Sequence, residues 1–235
     1  MLLAATVAYT LLAGWVPRMV SYSVGVLLGV TFLDLLPEAF EKADDPQLLF
    51  GAVLIGILAF FLLEKAALWR HSHGADSHGD NGHGMRKASG LLILAGDAFH
   101  NFVDGVLIAA AFLADFRLGL TTTLAVIMHE IPQEIGDFMV LLHAGYARSR
   151  ALLLNLAVSL ASVAGGVLGY LILDTAESLV QYALALAAAC FIYIAIADLI
   201  PHLHRQNRRE DLWWQIVLIA VGIGTVGLVG SWLHD

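Results

Sequence analysis

One cysteine, five prolines and few charges mark this 235-residue chain: Asp, Glu, Lys and Arg make up 14% of it, and only twelve residues are Lys or Arg. A lone cysteine, Cys190, forms no internal disulfide and no thiolate metal cage. Scarce positive charge argues against nucleic acid as a partner, since phosphate backbones reward basic surfaces. The low charge also excludes an ordinary water-soluble globule, in which about a quarter of residues are charged. What fills the chain instead is apolar: 59% AVILMFWYC, 22 further glycines, and a mean hydropathy of +0.79.

Apolar segments of helical length lie at about 1–16, 19–40, 48–68, 88–113, 118–143, 151–173, 179–203 and 212–233. Each crossing of a bilayer needs roughly 20 such residues, so eight account for about 160 positions and leave short connections. The expected fold is all-α, one polytopic membrane domain over residues 1–235 with eight transmembrane helices. The first segment has no basic residue ahead of it and no A-x-A-like cleavage site close behind. It reads as a short first span and not as a signal peptide. Pro17-Arg18 is read as the break that follows it.

Ten of the twelve basic residues fall in connections after odd-numbered segments; only Lys42 and Arg117 lie on the other side. Cytoplasmic loops collect Lys and Arg, which places both termini outside and the His-rich stretch 71–87 in the cytoplasm. A faint internal repeat relates Asp34-Leu35-Leu36-Pro37-Glu38 to Asp198-Leu199-Ile200-Pro201-His202. An even number of helices separates them, so the two motifs run in opposite senses, as inverted repeats do.

Within the spans lie nine carboxylates, Asp34, Glu38, Glu64, Asp97, Asp104, Glu130, Glu134, Asp137 and Asp198, against one basic residue, Lys65. A charge at mid-membrane costs about 2.5–3.5 kcal/mol even on lenient scales, so protons, bound cations or cavity water must compensate. In GDAFHNFVDG, Asp97, His100, Asn101 and Asp104 share one helical stripe; in HEIPQEIGD, His129, Gln133 and Asp137 repeat every four residues beside Glu130 and Glu134. Two such stripes offer the nitrogen and oxygen donors of a borderline divalent cation. Pro132, within the second stripe, removes the N–H that would bond Met128 and frees a backbone oxygen that a passing cation could use. The segment HSHGADSHGDNGHG adds His71, His73, His78 and His83 among Gly, Ser and Asp, and reads as a cytoplasmic loop that holds metal transiently.

HEIPQ also approximates the H-E-x-x-H zinc-peptidase motif, with Gln133 in place of the second histidine. An intramembrane zinc metalloprotease with Glu130 as general base is therefore the alternative function, and a metal-sensing or structural membrane protein a third. No G-x-x-x-x-G-K-[ST] phosphate loop is present, and no organic cofactor is expected.

The chain resembles the ZIP (Zrt/Irt-like) family of divalent metal transporters in its eight spans, the His-rich loop after the third, HNFVDG in the fourth, and HEIPQE followed by GDFMVLLHAG in the fifth. The resemblance implies a multi-pass protein of a plasma or inner membrane that is no enzyme. It would import Zn2+, or a related ion such as Fe2+, Mn2+, Cd2+ or Co2+, as a homodimer with an elevator-like motion. Position by position, His100, Asp104, His129 and Gln133 match the primary metal site, and Asn101 and Glu130, with Asp104 shared, a second. Asp34, Asp97, Glu134, Asp137, Asp198 and His202 fall along the implied ion path. Gln133 stands where many relatives have His or Glu, and the sixth segment has Asn155, Ser159 and Ser162 near the place of a carboxylate. The resemblance then implies a weak or absent second metal.

Overall fold

A long apolar run that crosses a bilayer must close its backbone hydrogen bonds within itself, and helix is the conformation that does so without a partner strand. A computed structural model describes the backbone of residues 2–74, 82–204 and 209–232, and the side chains of residues 15–65, 94–204 and 212–232. Among the described residues there is helix and no strand. In chain order the helices are α1 (Leu2–Gly29), α2 (Leu36–Glu41), α3 (Pro46–Gly74), α4 (Gly82–Ala114), α5 (Phe116–His143), α6 (Arg148–Leu173), α7 (Val180–Tyr193), α8 (Ile200–His204) and α9 (Arg209–Trp232). Six stretches are long and apolar enough to cross a membrane: Trp15–Glu41, Pro46–Lys65, Leu94–Ala114, Arg148–Leu173, Glu177–His204 and Leu212–Trp232. The chain is thus a polytopic all-α membrane protein. α5 has 28 residues, ample length for a seventh crossing, but its polar stripe lowers its apolarity.

Two sequence expectations differ from the structure. Segments 1–16 and 19–40 do not separate at Pro17: the proline lies inside α1, which continues through a wide turn into α2, so the described helices form seven rods. Proline inside a helix forfeits one backbone bond and kinks the helix, and here the helix runs on past it. The Ser21 hydroxyl donates to the Pro17 carbonyl at 2.9 Å, one turn into the continuing helix. Second, the 71–87 stretch is helical at both ends, because α3 extends to Gly74 and α4 begins at Gly82. His78 lies outside the described residues, as do the side chains of His71, His73 and His83.

The repeated motifs are a physical device. Val30–Leu35 and Ile194–Leu199 are both wide turns in which the hydrogen bond spans five residues, and each leads within two residues to a proline, Pro37 or Pro201. Widening relieves the clash of a proline ring with the carbonyl four residues earlier, and such turns bend helices. The two bent rods pack antiparallel: α1 meets the second wide turn and α8, while α2 and the first wide turn meet α7.

Glycines bring other rods into backbone contact. A Cβ on Gly105 of α4 would sit 1.9 Å from the Ser162 carbonyl oxygen of α6, and one on Gly165 would sit 1.9 Å from that of Phe102. Between α1 and α9, a Cβ on Gly25 would lie 2.2 Å from the Ile219 oxygen and one on Gly222 2.5 Å from that of Tyr22. Small residues permitting close approach are the usual route to tight helix pairs in lipid. Two such pairs result, α4 with α6 and α1 with α9. α4 and α5 are linked by Asp115 alone, whose extended backbone turns the chain and whose carboxylate caps α5 by accepting from the N–H groups of Arg117 (2.8 Å) and Leu118 (3.2 Å). So short a joint makes α4 and α5 antiparallel neighbours and turns their polar stripes toward each other.

Candidate metal centre

His100 and Asp104 stand one turn apart on α4; His129 and Glu130 are adjacent on α5. One ligand atom from each of the four lies within 4.8 Å of all the others, and among the described residues no other group of His, Cys, Asp and Glu does this. His129 Nε2 is 3.2 Å from Asp104 Oδ2 and 3.6 Å from Glu130 Oε1. His100 Nε2 is 3.3 Å from His129 Nε2, 3.4 Å from Glu130 Oε1 and 3.7 Å from Asp104 Oδ2. A tetrahedral ion with donors at 2.0–2.1 Å has donor–donor edges of about 3.3 Å, which these separations bracket.

The surroundings hold those atoms in place. His129 Nδ1 lies 3.0 Å from the Ala125 carbonyl, which only accepts. The proton therefore sits on Nδ1 and the lone pair of Nε2 faces the cluster, the usual arrangement behind a metal-bound imidazole. The ring packs edge-on to Phe191 of α7 at 6.0 Å. Asp104 is fully buried, yet neither of its carboxylate oxygens has a hydrogen-bond donor; nor does Glu130 Oε1. Buried, donorless carboxylate oxygens beside imidazole lone pairs are costly alone and are resolved by a cation.

The remaining members of the two stripes are present but differently engaged. Gln133 Nε2 donates to Asp97 Oδ1 at 2.7 Å, and Asn101 Nδ2 donates to the Asp97 backbone oxygen and Oδ1 at 3.2 and 3.3 Å. Both amides thus spend a donor on Asp97, one turn from the four-group cluster. Asp137 faces Asp97 and Glu134. Glu134 accepts from the Ser159 hydroxyl of α6 at 2.5 Å, and its backbone oxygen from Asn155 Nδ2 at 2.9 Å. Asp198 is exposed on the second wide turn, within the electrostatic reach of Glu64 and His202. Tyr193 donates its hydroxyl to Glu64. Asp34 lies half-buried on the first wide turn, near Gly230 of α9.

The freed Met128 carbonyl is not open to a cation as expected, because it accepts the hydroxyl of Ser23 from α1. Nothing in the sequence around Ser23 signals this. The Ala125 carbonyl was legible in principle, four residues before His129 on the same helix. The peptidase alternative finds no support: in place of a second histidine, Gln133 points its amide at Asp97.

A cluster of two imidazoles and two carboxylates between α4 and α5 of a polytopic membrane protein has the donor set that suits a transition-metal ion. A family model described as ZIP Zinc transporter matches residues 70–230. Zinc transporter ZIP13 of Pongo abelii is 34% identical over 225 residues, covering 88% of this chain and 64% of its own length. Human zinc transporter ZIP4 is 32% identical over 274 residues (90% of this chain, 41% of the relative), and mouse ZIP4 43% over 141 residues (60% and 20%). The chain belongs to the ZIP zinc transporter family, whose members are transporters and not enzymes. It spans less than two thirds of the length of these three relatives.

Proposed function

We propose that the protein carries a divalent transition-metal ion, Zn2+ foremost, across a plasma or inner membrane into the cytoplasm. The observation that carries this reading is the cluster His100, Asp104, His129 and Glu130, whose donor separations of 3.2 to 3.7 Å suit a tetrahedral ion. Mixed imidazole and carboxylate ligation binds less permanently than four thiolates, as a carrier that must release its cargo requires. Asn101 and Gln133 support the cluster through Asp97, and Fe2+, Mn2+, Cd2+ and Co2+ are the competing cargoes. Asp34 at one wide turn, and Asp97, Glu134, Asp137, Asp198 and His202 toward the other side, line the path. The histidines of the His-rich segment, His71, His73, His78 and His83, receive the ion.

From Trp15 onward, with α5 counted as a crossing, Lys42 and Arg117 fall on one side and the other ten basic residues on the opposite side. This supports inward transport toward the side that holds the His-rich segment, with the C-terminus outside. The glycine-locked pair α4–α6, together with α5, forms one unit, and α1–α9 another; sliding of the first against the second is the elevator-like step, within a homodimer. The test is Zn2+ flux into proteoliposomes by the purified protein and by His100→Ala and Asp104→Ala. Flux at background in both variants with normal folding is expected. Wild-type flux in either would sink the site.

A further inference from the structure

Met128 precedes His129, and its carbonyl is the one that Pro132 leaves without an intrahelical donor. A buried carbonyl without a donor is unfavourable, so a partner from elsewhere has to meet it. The partner is Ser23 Oγ, from a fully buried side chain on α1. The same oxygen lies 2.8 Å from the Met19 carbonyl one turn back in its own helix, so its single proton is shared between the two carbonyls. Ser23 belongs to the α1–α9 pair and Met128 to the helix that carries His129 and Glu130. The bond therefore joins the metal-bearing turn to a different helix unit at the peptide next to a ligand.

We infer that Ser23 is a positioning residue for the metal centre: by taking the carbonyl that Pro132 frees, it sets the height of the Met128–Glu130 turn of α5 against α1 in the conformation of this structure, and the bond opens when the two units slide. His129 is then oriented from two directions, by Ala125 behind its ring and by Ser23 at its backbone. The Met19 carbonyl shares the hydroxyl proton, and no group of the cluster needs to titrate for the anchor to act. The inference rests on reading the cluster as a metal-binding site, and its test separates metal binding from transport.

A double-mutant cycle tests it. In Pro132→Ala, residue 132 regains an N–H that bonds the Met128 carbonyl within the helix, so the anchor loses its purpose. Equilibrium Zn2+ binding to the purified full chain, by competition with a chromophoric chelator, is expected to weaken about 3- to 10-fold in Ser23→Ala, the size of one net buried hydrogen bond. In the Pro132→Ala background the same substitution should change binding less than twofold. Ser23→Cys, close in size and a weak donor, should fall between serine and alanine; thermal unfolding of each variant reports whether the fold is intact. Wild-type affinity in Ser23→Ala, an equal loss in both backgrounds, or a cysteine variant no better than alanine would overturn the anchor. If Pro132→Ala does not fold, the order serine, cysteine, alanine decides alone. Flux in proteoliposomes is read separately, so a wild-type protein that binds Zn2+ with this coupling but moves none would refute transport and leave the anchor standing.

Discussion

Gln133 gives its side-chain N–H to Asp97 across the gap between α5 and α4, at 2.7 Å. In the sequence Gln133 has the spacing of a metal ligand; in the fold it braces a carboxylate one turn from the metal cluster. Gln133→Ala removes the brace and leaves the Asn101 amide on Asp97 Oδ1. Zn2+ affinity should fall about 10-fold, the scale of losing a group that orients ligands, measured as equilibrium binding with an unchanged unfolding temperature. A drop of about a thousandfold, beyond that scale, would make Gln133 a direct ligand.

His129 is the most confined donor, with its ring pinned by the Ala125 carbonyl and Phe191. His129→Ala should reduce Zn2+ affinity by at least about 100-fold and bring flux to background. His129→Gln keeps a donor but loses the back-side bond, and should recover little. Substantial flux in either variant would remove His129 from the site.

Acid should oppose the metal. An imidazole that binds an ion has given up a proton, so protons and Zn2+ compete for His100 and His129. Lowering the pH from about 7.5 to about 5.5 is expected to weaken binding at least about tenfold, because the ligands must shed protons to hold the ion. Binding at the higher pH should release protons into a weakly buffered solution. Affinity that is flat across this range would mean that the histidines do not ligate.

Glycine contact predicts a stability effect away from the metal. A Cβ at Gly105 would meet the Ser162 carbonyl oxygen at 1.9 Å, closer than any real contact, and both partners are backbone. Gly105→Ala must push α4 from α6 and should destabilise by about 1–3 kcal/mol, seen as a lower unfolding temperature in detergent. Gly136, with nothing within 4 Å of its Cβ position, is the control and should tolerate alanine.

How much was legible from the residues follows from how locally each feature is written. Four-residue spacing put His100 with Asp104, and His129 with Glu130 beside it, because both helices keep their period through the stripes. The Asp-Leu-x-Pro repeat marked the two wide turns, though only the fold shows what the prolines require there. Pro17 misled, since a proline after an apolar run reads as an end and this helix continues past it. The partners of Gln133 and Met128 were out of reach: Asp97 lies 36 residues from one and Ser23 105 residues from the other. No periodicity reports such pairings.

The single-residue joint at Asp115 has a consequence for how the site comes into being. All four donors lie between residues 100 and 130, on two helices that the joint forces together, so bringing them into register closes only a short stretch of chain. The four donors are therefore native to one helical hairpin. α1, α6 and α7 enclose it, adding the Ser23 bond, the glycine contact and the Phe191 ring to a constellation that the hairpin itself carries.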